Sequence, residues 1–233
     1  MGQLSTIGFD ADDTLWHSER AFRLSEARFA ELLADHADAQ DLSKRLLETE
    51  RRNLHFYGFG WKGFVLSMIE TAIEVTDLKV PTAILQQLIE LGRDIARHPI
   101  EILPGVRETL HEVAERYRVV LITKGDLLDQ EQKLARSDLG HLFQAVEIVS
   151  DKSAETYRRV FSRHGDGAAR GMMVGNSVRS DILPAIEAGS WAVFIPHALT
   201  WTAELADPPH KAPRFRRLER IADLPRLLDQ IDA

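Results

Sequence analysis

Two aspartates separated by one residue, Asp10 and Asp12, stand where a short apolar run ends, in Phe9-Asp10-Ala11-Asp12-Asp13-Thr14-Leu15. On an extended chain, residues two apart point the same way. The two carboxylates would therefore repel, and one would tend to hold a proton. A divalent cation relieves that repulsion, and acidic oxygens suit magnesium. The same residues also fit a strand-to-helix turn capped by Asp13 or Thr14. Taken alone, the segment leaves both readings open.

Something must hold those carboxylates at the end of a strand. Leu4 to Phe9 is short, apolar and partly β-branched, the pattern of a central parallel strand. From about His17 to His98 the rhythm becomes helical. Phe22, Phe29 and Leu32 form one apolar set, and Ile84, Leu85, Leu88 and Ile89 another. After Pro104-Gly105, helix and strand alternate. Strands are expected at Arg118 to Ile122, Ala145 to Val149, Gly171 to Val174 and Trp191 to Ile195. Helices are expected from about Val106 to Glu115, Leu127 to Arg136, Ala154 to Arg163 and Asp181 to Ala188. Such alternation predicts an α/β fold, a doubly wound parallel sheet with helices on both faces. The expected division is a core of residues 1–16 plus 99–233, interrupted by a helical domain at 17–98.

In open α/β sheets the carboxyl ends of the strands form the ligand crevice, and here those ends carry charge-handling groups. Thr123-Lys124-Gly125-Asp126 offers a hydroxyl and loosened amides at a helix start, a small anion cradle; helix capping is a compatible role. Ser150-Asp151-Lys152-Ser153 brings a lysine. By residue type alone that is a solvated charge, but beside the crevice it suits a phosphoryl group. Gly175-Asn176-Ser177-Val178-Arg179-Ser180-Asp181 brings an amide and a further carboxylate. Capping alone poorly explains four such strand ends.

The order of these segments resembles the haloacid dehalogenase superfamily, whose motifs run DxDxT, a strand-terminal Thr or Ser, a downstream Lys, and an acidic Gly-Asp-type segment. Asp10, Asp12 and Thr14 fill the first motif. The resemblance spans essentially the whole chain, with residues 17–98 in the place of a helical cap. It implies a magnesium-dependent phosphatase acting on a small phosphorylated metabolite. Asp10 would be the nucleophile that forms an aspartyl-phosphate, and Asp12 the acid/base residue. Thr123 and Lys152, with the adjoining Lys124, would hold the phosphoryl group. Magnesium would be held by Asp10, the Asp12 carbonyl, Asn176 and Asp181. Asn176 departs from the family's usual Asp: its amide oxygen can ligate but brings no charge, so Asp181 becomes the acidic contributor.

Other outcomes remain within reach of these residues. A phosphomutase uses the same set. A 2-haloacid dehalogenase would lack the second carboxylate, because a halide leaves without a proton, and Asp12 argues against that reading. A non-catalytic phospholigand-binding protein is prompted by Asn176.

Composition bounds the rest. The chain has 233 residues, with 44% hydrophobic and 28% charged, an ordinary globular balance. A net charge of -7 argues against nucleic acid as a partner. With no cysteine, thiolate metal sites, disulfides and cysteine nucleophiles are excluded. No apolar run is long enough to span a membrane, and no signal-peptide layout is seen, so a cytoplasmic setting is expected. Met1-Gly2 with Thr6 fits the loose myristoylation pattern, yet Thr6 leads into what reads as buried strand.

Three further features carry less. Gly58-Phe59-Gly60-Trp61-Lys62-Gly63 fits GxGxxG, but the stretch before it looks helical, so a flexible loop is expected. Trp61 and Lys62 could then help select substrate, or simply pack a helix. The nine histidines show no pair at the helical spacing of a zinc site; His17 is the one near the nucleophile segment. Arg214, Arg216, Arg217 and Arg220 with interleaved Phe215 and Leu218 read as an edge strand or amphipathic segment.

Overall fold

A computed structural model describes residues 3–233, and Met1 and Gly2 of the acylation pattern lie outside that range. The described residues form two compact units, one of Ser18–Pro99 with Gly125–Asp129, the other of the remaining chain. Among the described residues no helix is long and apolar enough to cross a membrane.

The α/β unit is built on a six-stranded parallel sheet: β1 (Thr6–Phe9), β2 (Arg118–Lys124), β3 (Ala145–Val149), β4 (Gly171–Gly175), β5 (Trp191–Phe194) and β6 (Phe215–Arg217). Their spatial order is β3-β2-β1-β4-β5-β6. The chain therefore fills one side of β1 and then the other, so the strand order reverses at β1. Every residue of β1 is buried, as a strand covered on both faces must be.

Alternation along β2 shows how the faces are covered. Val119 and Leu121 join one apolar cluster with Phe9, Val174, Val106, Leu110 and Leu228. Val120 and Ile122 join a second with Met173, Tyr157 and Phe161. The helices of this unit are α5 (Val106–Ala114), α6 (Leu127–Ser137) from Gln130 onward, α7 (Ala154–His164), α8 (Leu183–Glu187) and α9 (Leu224–Asp232). The helical unit contains α1 (Glu19–Leu32), α2 (Ala39–Tyr57), α3 (Trp61–Val75) and α4 (Thr82–Arg97), packed around Phe29, Leu42, Leu46, Met68 and Leu88.

Three local expectations are revised. β2 continues through Thr123 and Lys124, which pair with Ile148 and Val149, so these residues lie in the sheet itself. The helix expected at Asp181 to Ala188 is a wide π-type turn over Val178–Ile182 followed by the short α8. Ser177 starts it by accepting from the Ser180 amide, and Pro184 limits the hydrogen bonds available behind it.

The expected loop at Gly58 to Gly63 is confined to its first half, and the second half is helix. Gly58 and Gly60, at φ of 69° and 114°, make the break, and α3 resumes at Trp61. A Cβ on Gly63 would lie 3.0 Å from the Gly58 carbonyl oxygen, so this glycine serves a close backbone approach.

Candidate active site

Asp10 is the first residue past β1, and its amide still donates to the Val174 carbonyl, 2.9 Å away, holding it in the plane of the sheet. The chain then turns sharply. Asp13 takes a left-handed φ of 61°, and the Thr14 and Leu15 amides reach back to the Ala11 carbonyl. This turn brings the Thr14 hydroxyl to 2.9 Å from Asp10 Oδ2, and Thr14 has one proton to donate.

Lys152 arrives from the loop between β3 and α7, with only 1% of its side chain exposed. Its ammonium hydrogen-bonds Asp10 Oδ1 and lies 2.8 Å from Asp181 Oδ1. The other Asp181 oxygen accepts from the Ser177 amide at 2.9 Å. Two buried carboxylates thus share one buried ammonium. Burial pushes the Asp10 carboxyl up to about 7, with Lys152 opposing and Asp181 adding to the rise. Burial disfavours charge on Lys152, but Asp10 and Asp181 together hold its affinity for the proton above the ordinary value.

Asn176 completes this group, and its amide tests whether a cation fits. The Asn176 main-chain amide donates to Thr14 Oγ1 at 3.1 Å. One end of its side-chain amide lies 3.2 Å from the Asp12 carbonyl, 3.2 Å from Thr14 Oγ1 and 3.3 Å from Asp10 Oδ2. With nitrogen at that end, its two hydrogens are shared among these three acceptors. With oxygen there, three oxygen donors converge, an arrangement that becomes favourable with a hard divalent cation among them. The net charge of Asp10, Asp181 and Lys152 is -1 when all are ionised, which also favours an added cation. The residues present fit such an ion.

Asp12 directs its carboxylate to other partners. Oδ1 accepts from Trp16 Nε1 at 2.8 Å, Oδ2 accepts from Gln130 Nε2 at 2.8 Å, and the Lys133 ammonium lies 3.1 Å from both oxygens. Burial would raise this carboxyl, but the Lys133 charge and the hydrogen bonds from Gln130, Trp16 and Lys133 outweigh it and hold it below the usual range. Asp12 is therefore an anion clamped by α6. Neither Gln130 nor Lys133 was singled out by sequence, although three-residue spacing places them on one helix face.

Lys124 is held by a third cluster. Its ammonium lies 2.7 Å from Ser180 Oγ and 2.5 Å from Glu204 Oε1, while Glu204 Oε2 accepts from Ser177 and Ser180 hydroxyls, each at 2.5 Å. Burial raises the Glu204 carboxyl, but Lys124 and the serine hydroxyls bring it below its ordinary value. Glu204 comes from a single helical turn after β5, a position with no motif to flag it. Thr123 is buried next to Lys124 at the end of β2.

Trp61 and Lys62 belong to the helical unit. A Cβ on Gly92 would lie 3.1 Å from the Trp61 ring, which marks a tight helix contact. Lys62 pairs with Asp126 at 2.9 Å.

Comparison with known proteins follows the same direction. A family model for a hydrolase, haloacid dehalogenase-like hydrolase, matches residues 4–189. A solved haloacid dehalogenase-like family hydrolase from Xanthomonas campestris is 41% identical, with a TM-score of 0.88 over 99% of this chain and 93% of that one. A HAD-hydrolase from Bacillus subtilis, solved bound to magnesium, has a TM-score of 0.67 at 16% identity, covering 97% of this chain and 99% of that one; at that identity the likeness shows the fold alone. A glyceraldehyde 3-phosphate phosphatase from Methanothermobacter thermautotrophicus is 31% identical over 125 residues, 48% of this chain and 54% of the relative. The chain thus spans about half the length of the curated relative it matches.

Proposed function

This chain belongs to the haloacid dehalogenase-like hydrolases, and from that premise we propose that it hydrolyses phosphomonoesters of small metabolites with magnesium, through an aspartyl-phosphate on Asp10. The observation that carries this reading is the seating of Asp10. It stands at the carboxyl end of the central strand, where the strand order reverses, with one oxygen held by Thr14 and the other by the buried Lys152. Open parallel sheets place their ligands at that point. The phosphatase relative supports phosphate as the released product.

In this reading an Asp10 oxygen attacks phosphorus, the phosphorus–oxygen bond to the alcohol breaks, and an acyl phosphate forms. Protonated Asp12 gives its proton to the departing alkoxide, then takes one from the water that opens the acyl phosphate. To do so, its carboxyl must exchange Lys133 and Gln130 for the reacting oxygens. Lys152 keeps Asp10 oriented and offsets charge on the phosphoryl group, and the hydroxyl of Thr123 with Lys124 lines the same strand end. Magnesium, held by Asp10, the Asp12 carbonyl, Asn176 and Asp181, would offset the repulsion between an anionic nucleophile and an anionic ester.

A dehalogenase would have no use for Asp12, because a halide departs unprotonated. The test is phosphate release from p-nitrophenyl phosphate with magnesium and with a chelator. Release that requires the metal, and falls by about four orders of magnitude or more in Asp10→Asn, is the expected result. An Asp10→Asn variant as active as the parent would overturn the proposal.

A further inference from the structure

The geometry points to a second metal site, for a borderline divalent transition cation of the zinc class, formed by Asp13, His17 and His197. The three come from the nucleophile turn, the residue that ends the first segment of the α/β unit, and the loop after β5. One donor atom from each can be chosen so that all three lie within 4.8 Å of one another. Asp13 and His197 each have only 10% of their side chain exposed.

The orientation of His197 is set by chemistry. Its Nδ1 lies 2.7 Å from the Leu199 carbonyl oxygen and 3.3 Å from the Leu199 amide nitrogen; the carbonyl contact is the shorter and stronger of the two, and a carbonyl can only accept, which favours the hydrogen on Nδ1. In the neutral ring, Nε2 then holds the free lone pair. That atom faces His17 Nδ1 across 3.3 Å. A backbone carbonyl on the far nitrogen is the usual way a ligating imidazole is fixed in its tautomer.

The separation of the two facing nitrogens is itself informative. Two imidazoles on one tetrahedral ion, each bond about 2.0–2.1 Å, place their nitrogens roughly 3.3 Å apart. The rings are tilted by 57° with centroids 5.4 Å apart, so their nitrogens do not meet as a by-product of stacking. Asp13 Oδ1 lies 3.6 Å from His197 Nδ1, too long for a good hydrogen bond, and a carboxylate oxygen of Asp13 falls within 4.8 Å of a nitrogen of each histidine.

Donor chemistry separates this site from the first. Two imidazoles and one carboxylate suit zinc and its neighbours, whereas an all-oxygen set suits magnesium. Three protein ligands leave a fourth position for water or a small anion. Such an ion would tie the turn that carries the Asp10 group to the loop after β5.

The test uses the full chain, stripped of metal with a chelator and returned to millimolar magnesium, then titrated with zinc against a chromophoric competitor. One zinc per chain is expected, with affinity weakened about 100-fold or more in His17→Ala and in His197→Ala. Asp10→Asn should bind zinc as the parent does, which separates this site from the catalytic proposal. Nitrogen-15 spectra of the unmodified protein give a readout independent of variant folding: zinc should move His197 Nε2 and His17 Nδ1. Either zinc affinity unchanged in both histidine variants, or ring resonances unmoved by zinc, would overturn the inference and leave a plain nitrogen-to-nitrogen hydrogen bond.

Discussion

The Lys133 ammonium lies 3.1 Å from both carboxylate oxygens of Asp12. The residue proposed to move protons is thereby stored as an anion, away from the Asp10 carboxylate. A low proton affinity suits the second half-reaction, where Asp12 must accept a proton. It hinders the first, where Asp12 must give one.

Lys133→Met should therefore shift the limb of the pH profile that reports Asp12. Without the ammonium, burial dominates and the carboxyl titrates at higher pH, so that limb of kcat/KM moves in the same direction. A profile unmoved by the substitution would show that Lys133 has no hold on the working acid.

The same pair should be visible in stability. A carboxyl depressed in the folded state contributes stability above its unfolded pKa, lost as pH falls through the folded value. Asp12→Asn should lower stability at neutral pH by about 1–3 kcal/mol, below the cost for a fully buried pair because 28% of the Asp12 side chain is exposed. The deficit relative to the parent should shrink in acid. Thermal melts of both proteins across that pH range measure it.

Asp10 should do the opposite in the metal-free protein. Its carboxyl is raised from 3.8 to about 7, so its contribution is present below the unfolded value and disappears as pH rises through the folded one. The melting temperature of the parent, relative to Asp10→Asn, should decline between about pH 4 and pH 7. Magnesium should cancel the decline, since a bound cation favours the ionised carboxylate. A relative melting temperature flat with pH would mean that Asp10 ionises as it does in water.

Gly175 closes β4 directly beneath Asp181. A Cβ there would lie 2.2 Å from Asp181 Oδ2 and 2.4 Å from its Cγ, so the Asp181 side chain would have to shift. Gly175→Ala should push that carboxylate off Lys152 and the Ser177 amide, destabilise by about 1–3 kcal/mol, and weaken magnesium binding. Calorimetric titration with magnesium alongside a thermal melt tests both parts.

Legibility in the sequence followed chain locality. The strands around Asp10, Lys152 and Asp181 were readable because short apolar runs end abruptly in polar or charged residues. The binding of Lys152 to both carboxylates needed the fold, since 142 residues separate it from Asp10. Gln130 and Lys133 sat in an ordinary amphipathic helix, where a cation reads as a solvated charge. His17 and His197 are 180 residues apart, so no spacing rule could join them. The loop expected at Gly58 to Gly63 failed for a different reason: three glycines suggested slack, while two made a turn and the third allowed close packing.

The central claim is a covalent bond between Asp10 and phosphorus. Rapid quenching during turnover of a phosphomonoester, followed by borohydride reduction and peptide mass spectrometry, reads it directly. Homoserine at position 10, formed only with substrate and absent from Asp10→Asn, is the expected result. Steady turnover with Asp10 unmodified, or with the adduct on another side chain, would contradict the account.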